Sequence, residues 1–233
     1  MDNFDQIATM MQDLLEKSGI ELPKNQMASD SQAEAFVNSI TEIARQYAEK
    51  LSQLKKASEE ATATMQYSVK GESMYRGYYH PSPVQELIVT NVTRGRLVKK
   101  PPLSGSYYQY SFDAEGNLRS IYQYDKKKLA AVEYLIRSME SEEYGLLFEH
   151  GFGDMLMLGT KTVYDNGRPT AFCSVHMPLN LNCMNQFDLQ TFAYDGEMLT
   201  SVTFETGVYG MFSKRHTYSI VMDQNGMRLE EDG

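Results

Sequence analysis

Residues 110–125 read YSFDAEGNLRSIYQYD, and this stretch decides the fold class. Tyr110 and Phe112 stand two apart, as do Tyr122 and Tyr124, with a smaller or polar residue between each pair. A period of two belongs to a β-strand, whose successive side chains point to opposite faces. Between the two runs, Asp113-Ala114-Glu115-Gly116-Asn117 carries the chemistry of a tight turn. Aspartate bonds its own backbone where such a turn begins, and glycine supplies the positive φ that tight hairpins require. The stretch therefore reads as strand, turn, strand.

Working outward, the same turn chemistry returns at Tyr164-Asp165-Asn166-Gly167, at Tyr194-Asp195-Gly196 and at Met222-Asp223-Gln224-Asn225-Gly226. Asp165, Asp195 and Asp223 are spaced 30 and 28 residues apart, room for one ascending and one descending strand per repeat. Alternating runs at 160–164, 170–175, 187–194, 201–205 and 217–222 fill the intervals. The pattern predicts an antiparallel meander of roughly ten strands, a number that curls or closes like a barrel rather than staying flat. Residues 80–102 hold Pro81, Pro83, Pro101 and Pro102 and read as one strand between irregular connectors. The stretch 129–150 fits a helix through Leu129, Val132, Ile136 and Met139, or two strands joined near Ser138–Glu143; the surrounding rhythm favours strands.

The segments YSFDAEGNLRSIYQYD (110–125) and FAYDGEMLTSVTFE (192–205) resemble the YD-repeat pattern of Rhs-type proteins. The resemblance implies β-hairpin architecture. Its setting, polymorphic-toxin loci and the small immunity proteins encoded there, implies a protein partner. Complete Rhs shells wrap dozens of such hairpins, far more than 233 residues supply.

Residues 1–65 follow a different period. Phe4, Ile7, Met10, Met11, Leu14 and Leu15 make one helical stripe, with Ser18-Gly19 as a stop. Ile20–Asp30 reads as a loop, and Ser31 with Glu34 forms a capping box. Phe36, Ile40, Ile43, Tyr47, Leu51 and Leu54 then predict one long amphipathic helix ending near Ala61 or Ala63. The expected class is α+β: a helical pair over 1–65, then the meander over 66–233. The long helix is expected to cover the sheet, fill its mouth or form a homodimer seam.

A net charge of −9 argues against nucleic acid as a partner, since neutralising phosphates needs a basic face. The acidic N-terminus has no apolar signal core, and no apolar run is long enough to span a bilayer. Cys173 and Cys183 therefore read as reduced thiols, and the cytoplasm as the expected compartment.

No catalytic pattern stands above its bland alternative, and no cofactor is expected. Cys173 and His176 lie three apart, so on a strand they diverge, and with Cys183 they fall short of a zinc set. Gly151-Phe152-Gly153 beside His150 and Asp154 reads as a turn rather than a phosphate cradle. Arg94, Arg96, Lys99 and Lys100 form a candidate basic patch, as do Lys126–Lys128, or they protect a strand edge. Tyr107, Tyr108, Tyr110, Tyr122 and Tyr124 form a candidate aromatic face among 16 tyrosines in a chain without tryptophan. Three functions follow. The first is a non-enzymatic protein-binding module that uses this curved aromatic sheet. The second is a carrier of an apolar small molecule, with Met155, Met157, Phe172 and Phe204 lining its cavity. The third is a hydrolase built from scattered His, Asp and Glu.

Overall fold

The computed structural model describes residues 32–47, 49–72, 74–89, 91–139, 141–177, 186–209, 212–223 and 226–231. The helix expected over Phe4–Leu15, the loop after it, Ser31 of the capping box and Cys183 lie outside the described residues. Two helices, α1 (Gln32–Tyr47) and α2 (Leu51–Ala61), precede twelve strands. In chain order these are β1 (Thr64–Val69), β2 (Arg96–Val98), β3 (Tyr107–Phe112), β4 (Leu118–Asp125), β5 (Lys128–Met139) and β6 (Glu142–Glu149). They continue with β7 (Met155–Asp165), β8 (Arg168–His176), β9 (Gln186–Asp195), β10 (Met198–Val208), β11 (Phe212–Asp223) and β12 (Gly226–Glu231). The class is α+β, as expected.

All twelve strands join one antiparallel sheet in the order β12 through β3, then β1 and β2. From β3 to β12 every strand pairs with its sequence neighbour, so the meander holds. Residues 129–150 are two strands, β5 and β6, paired from Ala131↔Glu149 to Met139↔Glu142. The turns at Asp113, Asp165, Asp195 and Asp223 join alternate hairpins and therefore share one end of the sheet. At the first of them Asn117 N–H donates to Asp113 Oδ1 at 2.7 Å, and Gly116 sits at φ +84°.

Closure into a barrel does not occur. β2 and β12 are the two edges and do not pair with each other. Closure would ask β2 for a long ladder, and β2 offers three residues followed by Lys99, Lys100, Pro101 and Pro102. Charge and missing N–H groups make that edge a poor partner.

The expected single long helix is interrupted at Glu49–Lys50, where Lys50 N–H bonds Tyr47 O at 2.9 Å. A straight 30-residue rod would run ~45 Å and leave a twisted sheet behind. With the break, α1 lies over β6–β9 and α2 over β4 and β5. The buried strip of α1 is Ala33, Val37, Ile40 and Ala44, while Phe36 and Ile43 flank it. The approach is close, and glycine on the sheet makes room for it: a Cβ added at Gly159 would stand 2.5 Å from Ile40 Cγ2. At α2, Leu54 joins the same core and Ser58 Oγ bonds Ser120 Oγ at 2.8 Å.

The opposite face is covered by an irregular segment, residues 70–95, that links β1 to β2 and is here called the strap. It holds a 3-10 turn (Gly77–Tyr79) and the short helix α3 (Gln85–Ile88). Val84 is fully buried among Phe172, Phe192, Leu199 and Val202. α3 also touches β12. Ten strand spacings separate β1 from β12, ~48 Å if the sheet were flat. A strap folded into turns reaches across only because the sheet curves around it.

Candidate ligand-binding groove

The strap is fixed at one point by a buried charge. Arg76 is 2% exposed and stands in the left-handed region at φ +60°. Its Nη2 lies 2.6 Å from Glu133 Oε1 and its Nη1 3.0 Å from Glu143 Oε1. Nη2 also donates to Thr160 Oγ1 at 3.0 Å. Glu133 and Glu143 are 1% and 3% exposed, so the three side chains form an ion cluster shielded from solvent. Burial by itself would lower the Arg76 pKa; Glu133, Tyr75 and Glu143 outweigh it and hold the guanidinium charged. Gly145 makes the approach possible: an added Cβ would fall 1.9 Å from Glu133 Oε1 and 2.5 Å from Arg76 Nη2.

Tyr108 and Tyr110 complete the anchorage. Tyr108 Oη donates to Met74 O at 2.9 Å and Tyr110 Oη to Arg76 O at 3.1 Å, while Tyr78 N–H donates to Tyr110 Oη at 3.0 Å. The five tyrosines of the candidate aromatic face therefore divide. Tyr108 and Tyr110 are buried under the strap, their hydroxyls matched by its backbone. Tyr107, stacked on Tyr124 at 4.7 Å, points to the helix side, where Tyr122 packs at the edge of the α1/α2 core. They do not make one exposed surface.

The basic patch divides as well. Arg94 turns inward, donating to His80 O and Ser82 O and pairing with Glu86 at 3.5 Å. Arg96, Lys99 and Lys100 stay exposed along the β2 edge, in the edge-protecting role already open to them. Cys173 is buried against the helices and burial pushes its thiol well up, while His176 is exposed on the strap side. The two diverge as expected, and among the described residues no cluster has the makings of a metal site.

Beyond the ion cluster, strap and sheet part to leave a groove of about 610 Å³. Its floor is Leu147, Met157, Leu158, Phe172 and Phe204, and Ile88 and Val89 of the strap stand at the rim. Ile88 and Val89 are 38% and 41% exposed. The polar lining comes from Glu149, His176, Asp188, Gln190, His80 and Gln85, among others. Met157, Phe172 and Phe204 are three of the four residues expected for a carrier cavity; Met155 is not among the lining.

Each polar group has a readable state. His80 is buried edge-on to Phe172 at 5.2 Å and to Tyr75 at 6.0 Å. Burial, with Arg76 and Arg94 nearby, lowers its pKa to about 3, so the ring is neutral. Its Nδ1 accepts the Ser82 N–H at 3.0 Å, which places the ring proton on Nε2. Burial raises the Asp188 carboxyl while His176 pulls it back. Gln190 is 7% exposed; its Nε2 donates to Gln85 Oε1 at 3.1 Å and its Oε1 has no partner.

The chain matches no family model, no curated protein and no solved structure. The groove therefore stands on its own geometry.

Sequence reasoning passed over Arg76, Glu133 and Glu143. One signal was present: Glu133 is the lone charge in Leu129–Ile136, an otherwise apolar strand, where an isolated carboxylate demands a buried cation. Gln190 carries no such signal, because a glutamine among Leu189 and Thr191 fits any strand. Among the described residues no helix is long and apolar enough to cross a membrane.

Proposed function

We propose that the chain is a non-enzymatic binding protein that holds a small amphipathic molecule between strap and sheet. The groove carries this reading. Its volume of about 610 Å³ suits a ligand of drug or metabolite size, and an apolar floor with a few placed polar groups is the usual composition of such sites. Burial of the Cys173 thiol on the opposite face and the neutral, buried state of His80 support binding over hydrolysis. A cytoplasmic location belongs to the same proposal. Native mass spectrometry of gently purified protein, followed by solvent extraction, tests it. A retained small-molecule mass that disappears in Phe172→Ala and Phe204→Ala is the expected result; a retained mass indifferent to both variants contradicts it.

A protein partner is the second reading, in line with the toxin-locus resemblance. Its support is a set of exposed methionines at one end of the sheet: Met198 (58% exposed) at the β9–β10 turn, and the cross-strand pair Met222 (60%) and Met227 (36%) at the β11–β12 turn. Met is favoured at interfaces and wasteful in water. Pull-down from the native host with wild type and Met222→Lys tests this; a stoichiometric partner lost in the variant supports it, and one retained equally removes the support.

A further inference from the structure

The charges around the groove narrow the class of molecule it takes, an inference that rests on the groove being a binding site at all. Two carboxylates, Glu149 and Asp188, line it, and among the described lining residues there is neither lysine nor arginine. Asp188 and Gln190 alternate along β9, so their side chains rise on the same face with Cα atoms ~6.6 Å apart. Gln190 Oε1 is the second observation. Its side chain is more than nine-tenths buried, the residue lines the groove, and within the protein no donor meets its Oε1. A buried acceptor of this kind costs free energy until a donor arrives.

An anionic amphiphile such as a fatty acid would bring a third negative charge to this wall and no donor. An uncharged alcohol would satisfy Gln190 and leave the carboxylates untouched. A protonated primary amine carries three donors and one positive charge, enough to meet Gln190 Oε1 and the Asp188 carboxylate together. We propose that the groove binds an apolar primary amine, its ammonium between Asp188 and Gln190 and its hydrocarbon body along Phe172, Phe204 and Met157. The neutral His80 adds no repulsion to a cation, and a cation beside Asp188 would add to the pull that His176, also in the lining, already exerts against the burial that raises that carboxyl.

The test is a calorimetric titration of the full chain at neutral pH with n-octylamine, n-octanol and octanoate, three probes with one chain length and different head groups. An alkylamine is protonated there, as lysine is. Octylamine is expected to bind about tenfold or more tighter than octanol, the size of a charge-assisted hydrogen bond, and octanoate weakest. Asp188→Asn, folded by circular dichroism, is expected to bring octylamine to within about threefold of octanol, and Gln190→Met to weaken octylamine and octanol alike while leaving octylamine the tighter of the two. Octanol or octanoate binding as tightly as octylamine overturns the amine assignment and leaves the groove reading standing. Absence of binding by all three overturns both.

Discussion

The two faces of the sheet are covered in opposite ways. On one, α1 lays Ala33, Val37, Ile40 and Ala44 against the core that holds Cys173 and Val175, with Ile40 over Gly159. The helix's only polar ties among the described residues are peripheral: Tyr209 Oη donates to Asn38 Oδ1 at 3.0 Å and Lys161 Nζ sits over the Phe36 ring. On the other, the strap is pinned by an ion cluster and by tyrosine hydroxyls, then stands off the sheet and leaves a groove. Periodic side chains pack an apolar core, and the cavities left beside the helices, about 350 and 300 Å³, are smaller than the strap-side groove. An irregular segment has no period to match the sheet, so it is held by a few specific polar contacts and by the burial of Val84, and between those anchors it leaves the groove. Under the proposed function, one face serves stability and the other binding.

The sharpest way to break this contrast is at Arg76. Arg76→Ala leaves Glu133 and Glu143 buried without their cation and is expected to cost about 3–5 kcal/mol, the penalty for opening a buried pair. Urea denaturation measures it. Arg76→Ala with Glu133→Gln and Glu143→Gln should recover much of the loss, because the uncompensated charge is then gone. On the other face Ile40→Ala is expected to cost about 2–4 kcal/mol through lost burial and a cavity beside Gly159, with ligand affinity unchanged. A smaller effect is expected from Tyr110→Phe, about 1–2 kcal/mol for removed strap contacts. Hydrogen exchange should quicken at residues 74–84 in this variant and stay slow in α1; equal change on both faces would dissolve the distinction.

The least perturbing comparison is the pH dependence of Asp188→Asn. Burial raises the folded-state pKa of this carboxyl above its unfolded value, so the charged form carries a folding penalty. That penalty is fully present above the folded pKa and vanishes as pH falls below the unfolded value, about 3.9. Asp188→Asn should therefore be the more stable protein at pH 7 and lose that advantage near pH 3. Stability equal to wild type at both pH values would mean the carboxyl is not held at a cost.

These contrasts also separate what was legible in the sequence from what was not. The helices and the meander were legible because Ile40, Ile43, Tyr47, Leu51 and Leu54, or Tyr108, Tyr110 and Phe112, repeat with the period of their own element. Local turn chemistry likewise placed the hairpins at Asp113 and Asp165. The break at Glu49–Lys50 was not legible, because it answers the twist of a sheet formed later in the chain. Nor was the division of the tyrosines. Alternation places Tyr107 and Tyr108 on different faces, but which face receives the strap depends on Arg76 meeting a carboxylate 57 residues away. The groove was half legible: Met157, Phe172 and Phe204 could be named as lining, while Gln190, Asp188 and His80 meet there through tertiary folding alone.

The most direct test fills the groove and leaves the rest of the molecule alone. Thr206 is exposed on β10 and lines the groove, so Thr206→Trp adds bulk there without disturbing either core. The measurement is native mass spectrometry of this variant and of Ile40→Val, both purified as the wild type. Thr206→Trp is expected to fold with wild-type stability and arrive empty, and Ile40→Val to be less stable, by about 0.5–1.5 kcal/mol, and arrive loaded. A Thr206→Trp protein that carries the same bound mass as wild type would contradict the assignment of the strap face as the binding face.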